Sequence, residues 1–185
     1  DLIAAAKQEG MLTTIALPHD WCNYGEAIET FKQKYGLQVN EINPDASSAE
    51  EIEAIKANKD SKGPQAPDVI DVGYAFGPQL VEEKLVMPYK VSTWDTIPDN
   101  LKHPDGYWYG DYYGVMAFEV NKDVVKNVPQ DWADLLKPEY KNQVALAGDP
   151  RLSAQAQMSV YAAALANGGS LDNVQPGLEY FKKLN

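Results

Sequence analysis

The chain has 185 residues, of which 44% are hydrophobic and 23% charged, and it carries a formal net charge of −11. That composition belongs to a globular protein of one large domain or two small lobes, and its acidity repels phosphate backbones and anionic lipid surfaces, which sets nucleic acid aside as a partner. The longest apolar runs, 144–147 and 161–166, fall far short of the roughly 18 residues of a membrane span.

Residues 1–7 read as a small amphipathic helix. Residues 11–17 form an apolar, β-branched run that Pro18 ends. A helix follows, with Asn23 as its N-cap and Glu26 completing a capping-box pattern. Tyr24, Ala27, Ile28, Phe31 and Tyr35 recur at helical spacing on one face, and Gly36 suits the stop. Residues 37–42 make a second strand. Ser48 with Glu51 opens a second amphipathic helix, with Ile52 and Ile55 inward. Past a loop holding Gly63, Pro64 and Pro67, residues 68–72 read as a third strand. Gly77-Pro78 then starts a helix running to about Lys84. This βαβαβα alternation predicts a parallel-rich sheet with helices on both faces, joined by right-handed crossovers.

The middle changes character. Residues 107–114 are aromatic and glycine-rich, and 115–120 read as a strand. A short helix over 132–136, a buried strand over 143–147, a long helix over 153–167 stopped by Gly168-Gly169, and a last helix over 174–184 restore the α/β pattern. The switch near 115–120 divides the chain into a first lobe, 1–115, and a second, 116–185.

In open α/β sheets, ligands bind beyond the carboxyl ends of strands. Three such turns stand out. The first offers His19, Asp20, Trp21, Asn23 and Tyr24, the second Gly73 and Tyr74, the third Asp149, Arg151 and Ser153. The first two belong to the first lobe and the third to the second, which predicts a ligand cleft between lobes. Ser153 caps a long helix whose first N–H groups attract anions, and Arg151 adds a fork of donors suited to carboxylate or phosphate. Each feature has a plainer alternative: Ser153 and Asn23 as caps alone, Arg151 as a surface charge, Trp21 as packing. Trp108, Tyr109, Tyr112 and Tyr113 stack on a ligand or cation or fill core, and core is the better reading for at least two of them.

Catalytic and metal chemistry find little footing. His19 and His103 stand far apart, and no Cys/His cluster has zinc spacing. Neither a phosphate-binding glycine loop nor a Gly-x-Ser-x-Gly elbow occurs. Cys22 lies near His19 without an orienting partner, and as the single cysteine it forms no internal disulfide. Asp20, Asp45, Asp71, Asp111 and Asp149 can form a carboxylate set, with solvated loop residues as the default. The expectation is a binding protein with no catalytic residue, no cofactor and no metal site.

Several segments taken in order resemble a known family. They are residues 2–10 before the first strand, 31–37 ending at Gly36-Leu37, Ala66-Pro67-Asp68-Val69-Ile70-Asp71, Gly106-Tyr107-Trp108-Tyr109-Gly110 and Val120-Asn121-Lys122. Residues 132–141, Gly148-Asp149-Pro150 and Ala164-Leu165-Ala166-Asn167-Gly168-Gly169 complete the series. The chain resembles the extracellular solute-binding proteins of ABC importers, in the family that also holds ferric-iron, phosphonate and spermidine/putrescine binders. The resemblance implies a bilobal, type II periplasmic-binding-protein-like clamp closing on one small molecule, with a membrane permease as partner. It implies secretion to the periplasm or cell exterior, with a signal peptide removed ahead of this numbering. It puts 19–24, Gly73, Tyr74 and 149–153 against the ligand and the aromatic stretch on the hinge side.

Family members return from the second lobe to the first, whereas this chain stops inside the expected second lobe. The second lobe is therefore read as incomplete, with a missing C-terminal part as a possible second chain. Arg151 beside the Ser153 helix start favours a ligand with an anionic group. The alternatives are a polyamine, favoured by the aromatics and Asp residues, and ferric iron, whose tyrosine ligands come from the missing region. An effector-sensing domain of a transcription regulator shares the fold but needs a DNA-binding helix pair, and none is visible.

Overall fold

A computed structural model describes residues 1–184. The chain divides into two units, Asp1–Asp111 and a second that begins at Tyr112.

The first unit opens with helix α1 (Leu2–Glu9), whose end is fixed by Asp1 accepting the Ile3 N–H at 3.0 Å and by Gly10 at φ 82°. Strand β1 (Met11–Ile15) follows, then helix α2 (Tyr24–Tyr35) and strand β2 (Gln38–Ile42). β1 and β2 pair in parallel, from Met11 opposite Gln38 to Ile15 opposite Ile42. Gly36 takes the left-handed turn predicted for it, and its N–H closes onto the Lys32 carbonyl. Helix α3 (Ser48–Asn58) and helix α4 (Gly77–Glu82), with Pro78 in its first turn, complete the set. Thr13, Thr14, Ile15, Ile28, Ile52 and Leu80 form the buried core.

The predicted third strand does not form. Residues 68–72 touch β1 at one parallel bridge, Thr14 with Val69, so the expected helix-covered parallel sheet contracts to two strands. The Asp68 and Val69 N–H groups donate to the Thr13 carbonyl of β1, and beyond them side chains serve the segment's backbone. The Asp68 carboxylate accepts the Thr13 N–H at 2.8 Å, Glu51 Oε2 accepts the Asp71 N–H at 2.8 Å, and Ser48 Oγ accepts the Gly73 N–H at 3.0 Å. With the Asp71 and Gly73 donors met by side chains, the pairing with β1 stops after the Thr13 carbonyl.

Two cap assignments also change. The capping box of α3 is Ser47 with Glu50, one residue ahead of the predicted Ser48 and Glu51. Asn23 holds the N-cap position of α2 in a left-handed conformation, φ 62°, and makes no capping bond; its amide donates to Glu26 instead. Cys22 beside it is also left-handed, φ 46°.

The second unit is built on helix α5 (Ala154–Ala166) and helix α6 (Gln175–Leu184). Ser153 is the N-cap predicted for α5 and accepts the Ala156 N–H at 3.4 Å. The two helices bury Ala156, Val160, Ala163 and Ala164 with Gly177 and Tyr180. A Cβ on Gly177 would lie 2.2 Å from the Val160 carbonyl oxygen, so α6 crosses α5 with backbone against backbone. Trp132 packs edge-on to Tyr180 and Phe118, and Tyr180 Oη donates to the Trp132 carbonyl at 2.6 Å. The helix predicted over 132–136 is a single 3₁₀ turn, Asp134–Leu136.

The strands predicted over 115–120 and 143–147 are absent, and neither segment is buried. A strand exists through its neighbour, and the described residues of this unit offer these runs no ladder to join. No helix among the described residues is long and apolar enough to cross a membrane.

Candidate functional site

The site grows from the turn after β1. Trp21 N–H donates to the Pro18 carbonyl, Tyr24 N–H to Trp21 and Gly25 N–H to His19, which folds 18–25 into a tight knot. Gly25 gives the knot room, since a Cβ would stand 3.0 Å from the His19 carbonyl oxygen and crowd it. The knot starts α2 at Tyr24 and aims its hydroxyl away from the helix. Tyr24 Oη lies 2.8 Å from Asp71 Oδ2 and 2.8 Å from Asp111 Oδ2.

Asp71 is positioned from α3. Glu51 holds its N–H, and Ser48 holds the N–H of Gly73 two residues on. The next residues turn as a 3₁₀ segment, Tyr74–Phe76, which sets the Tyr74 ring edge-on to Trp108, 5.3 Å between centroids. Trp21 stands edge-on to Tyr24 at 6.3 Å. The polar groups thus form a graded column: Glu51 is 1% exposed, Tyr24 and Asp71 are half-buried, and Asp111 reaches solvent.

The column is short of positive charge. Burial pushes the Glu51 carboxyl up to about 8, against the pull of the Asp71 N–H and with the Asp71 charge adding to the rise. Burial also raises Asp71, offset by the Tyr24 hydroxyl and reinforced by Asp111. Tyr24 is held firmly as the phenol, first by burial and then by its bonds to Asp111 and Asp71. Glu51 Oε1 is buried with no hydrogen-bond partner.

The remaining predicted residues fare differently. His19 pairs with Glu41 of β2 rather than joining Tyr24. Asp20 is exposed, and Asn23 is engaged with Glu26. Gly73 and Tyr74 lie two and three residues past Asp71, and the Tyr74 ring is 78% exposed. In the second unit, the Arg151 guanidinium forks onto Asp149, with Nε at 3.0 Å from Oδ1, and its backbone N–H donates to the same carboxylate. That pairing draws the Asp149 carboxyl down to about 2. Ser153 Oγ donates to the Ala147 carbonyl while it caps α5. The third turn is therefore a closed circuit. Among the four aromatics, Trp108 and Tyr109 are packed and Tyr113 is exposed.

The sequence reading placed Tyr24 at the site but left Asp71 and Asp111 among loop aspartates, and read Glu51 as a cap. One signal was available: with Ser47-x-x-Glu50 taken as the capping box, Ser48 and Glu51 are released for other work.

Carboxylate oxygens facing one hydroxyl, beside aromatic rings, suit an ammonium group better than an anion. Comparison with known proteins adds a family. A family model described as bacterial extracellular solute-binding protein matches residues 65–185, well over half of the chain. The matched stretch includes Asp71, Tyr74, Asp111 and the whole third turn, and stops short of Tyr24 and Glu51. No curated protein matches the chain.

Proposed function

Because the chain belongs to the bacterial extracellular solute-binding proteins, we propose that it is the receptor of an ABC import system, taking up a small organic molecule that carries an ammonium group. The family's role is binding in transport, outside the cytoplasm. The finer parts of the reading are a type II bilobal clamp, an ABC permease that receives the ligand, export behind a cleaved signal peptide, and binding without catalysis.

The carrying observation is Tyr24 Oη set 2.8 Å from both Asp71 and Asp111. An ammonium brings up to three N–H donors and one positive charge, which is what two carboxylates and a phenol oxygen lack. Each charge-assisted bond is worth about 1.5–3 kcal/mol. The Trp21 ring, edge-on to Tyr24, supplies a face for the cation or its carbon chain.

An anionic ligand is the second reading, favoured by the start of α5 at Ser153 and by Arg151. It is the weaker one, because an anion would have to displace Asp149 from the Arg151 fork.

Titration calorimetry with putrescine and spermidine, alongside phosphate and a phosphonate, decides between the readings. The expected result is binding of the amines that Asp71→Asn weakens. Heats from the anions alone would sink the ammonium reading.

A further inference from the structure

We propose that the Tyr24–Asp71–Asp111 trio, with Glu51 beneath it, holds protons in the empty protein and exchanges one for the cationic group of the ligand, so that acid competes with the solute. The exchange half rests on the ammonium reading; the proton half stands on the geometry alone.

A hydroxyl has one hydrogen. Tyr24 Oη is 2.8 Å from a carboxylate oxygen on each side, and one hydrogen bonds well to one of them. The second contact, with no hydrogen between its oxygens, sets lone pair against lone pair. A proton on a carboxyl turns that contact into a bond by donating to the phenol oxygen. The independent observation is Glu51. Its Oε2 accepts the Asp71 N–H, and its Oε1, in a residue 1% exposed, has no partner at all. A bare carboxylate oxygen buried without a donor is costly, and a neutral carboxyl removes most of that cost.

Nothing nearby supplies the missing charge. On α2, Lys32 is paired with Glu29 and Lys34 lies over the Tyr35 ring. On α3, Lys56 is paired with Glu53 and Glu83. His19 is paired with Glu41, and Lys102 is held by the Trp94 and Ile97 carbonyls and Asp99. Among the described residues no Lys, Arg or His is hydrogen-bonded or ion-paired to Tyr24, Asp71, Asp111 or Glu51. The raised Asp71 and Glu51 carboxyls agree with this arrangement. A proton and an ammonium group therefore answer the same deficit. On binding, a carboxyl O–H bond breaks, the proton passes to buffer, and an N–H of the incoming ammonium donates to the freed carboxylate. The ammonium keeps its own charge, so one proton leaves for each cation that enters.

The test has two arms. In the empty protein at neutral pH, infrared difference spectra should show a protonated-carboxyl C=O stretch that weakens in Asp71→Asn and in Glu51→Gln and shifts in Tyr24→Phe, each variant first checked for folding by circular dichroism. With putrescine, calorimetry in phosphate and in Tris should give heats that differ by the buffers' ionisation heats. Affinity should rise about tenfold per pH unit for each proton released. Absence of the stretch, or its indifference to all three substitutions, overturns the proton site whether or not putrescine binds. The stretch with buffer-independent heats overturns the exchange. The stretch with no amine bound overturns the ammonium reading and the exchange with it.

Discussion

Two turns in this molecule carry similar groups and end in opposite chemical states. In the second unit, Asp149, Arg151 and Ser153 use one another and the backbone: the guanidinium forks onto the carboxylate, and the serine hydroxyl serves the Ala156 N–H and the Ala147 carbonyl. In the first unit, Tyr24, Asp71, Asp111 and Glu51 bring more acceptors than hydrogens and keep a buried oxygen unmet. Residue types alone favour the first of these as an anion site. What separates the two is unmet demand, which an inventory of side chains does not count and a set of distances does.

The comparison can be broken most sharply at Asp71. Asp71→Asn should lower putrescine affinity by about tenfold to a hundredfold, following the strength of a charge-assisted hydrogen bond. Unchanged affinity in calorimetry would move the ligand elsewhere. Glu51→Gln tests the same column through stability. The Glu51 carboxyl is raised from 4.5 to about 8 in the folded chain. Unfolded chains therefore ionise first as pH rises, and the wild type loses stability between those two values. Glutamine keeps a carbonyl for the Asp71 N–H and cannot ionise. The variant's melting temperature should gain on the wild type by about 5 °C between pH 5 and pH 8; parallel pH profiles would show that Glu51 is not held neutral. Tyr24→Phe removes one hydroxyl and should cost a few-fold in putrescine affinity, on the order of 1 kcal/mol. Arg151→Ala should change putrescine affinity by less than about twofold, since an exposed ion pair contributes little. A loss above tenfold, for an amine or an anion, would invert the comparison.

What was legible in the sequence was local. The stop of α2 at Gly36, the burial of Ile28 on its predicted face (though not of Ala27, which is exposed), the Ser153 cap and the extent of α5 all follow from residues a few positions apart. The strands over 68–72, 115–120 and 143–147 did not appear, because apolar alternation signals a willingness to pair and pairing depends on a distant partner. At 68–73 the pairing with β1 stops at the Thr13 carbonyl, and the Glu51 and Ser48 side chains take the Asp71 and Gly73 N–H groups. The site was hidden for the same reason. Tyr24 meets carboxylates 47 and 87 positions along the chain, spacings that no motif encodes. The capping error shows how small the margin is: a one-residue offset consigned Glu51 to a helix end when it belongs to the floor of the column.

The crossing of α5 and α6 carries a lesson for anyone diversifying this protein. With the Val160 carbonyl oxygen 2.2 Å from where a Cβ would sit, position 177 is a keyhole cut to the width of a hydrogen atom. A saturation library should return glycine there almost alone, while its neighbour Leu178, 44% exposed, accepts nearly any replacement. Two adjacent codons would thus differ sharply in what they tolerate.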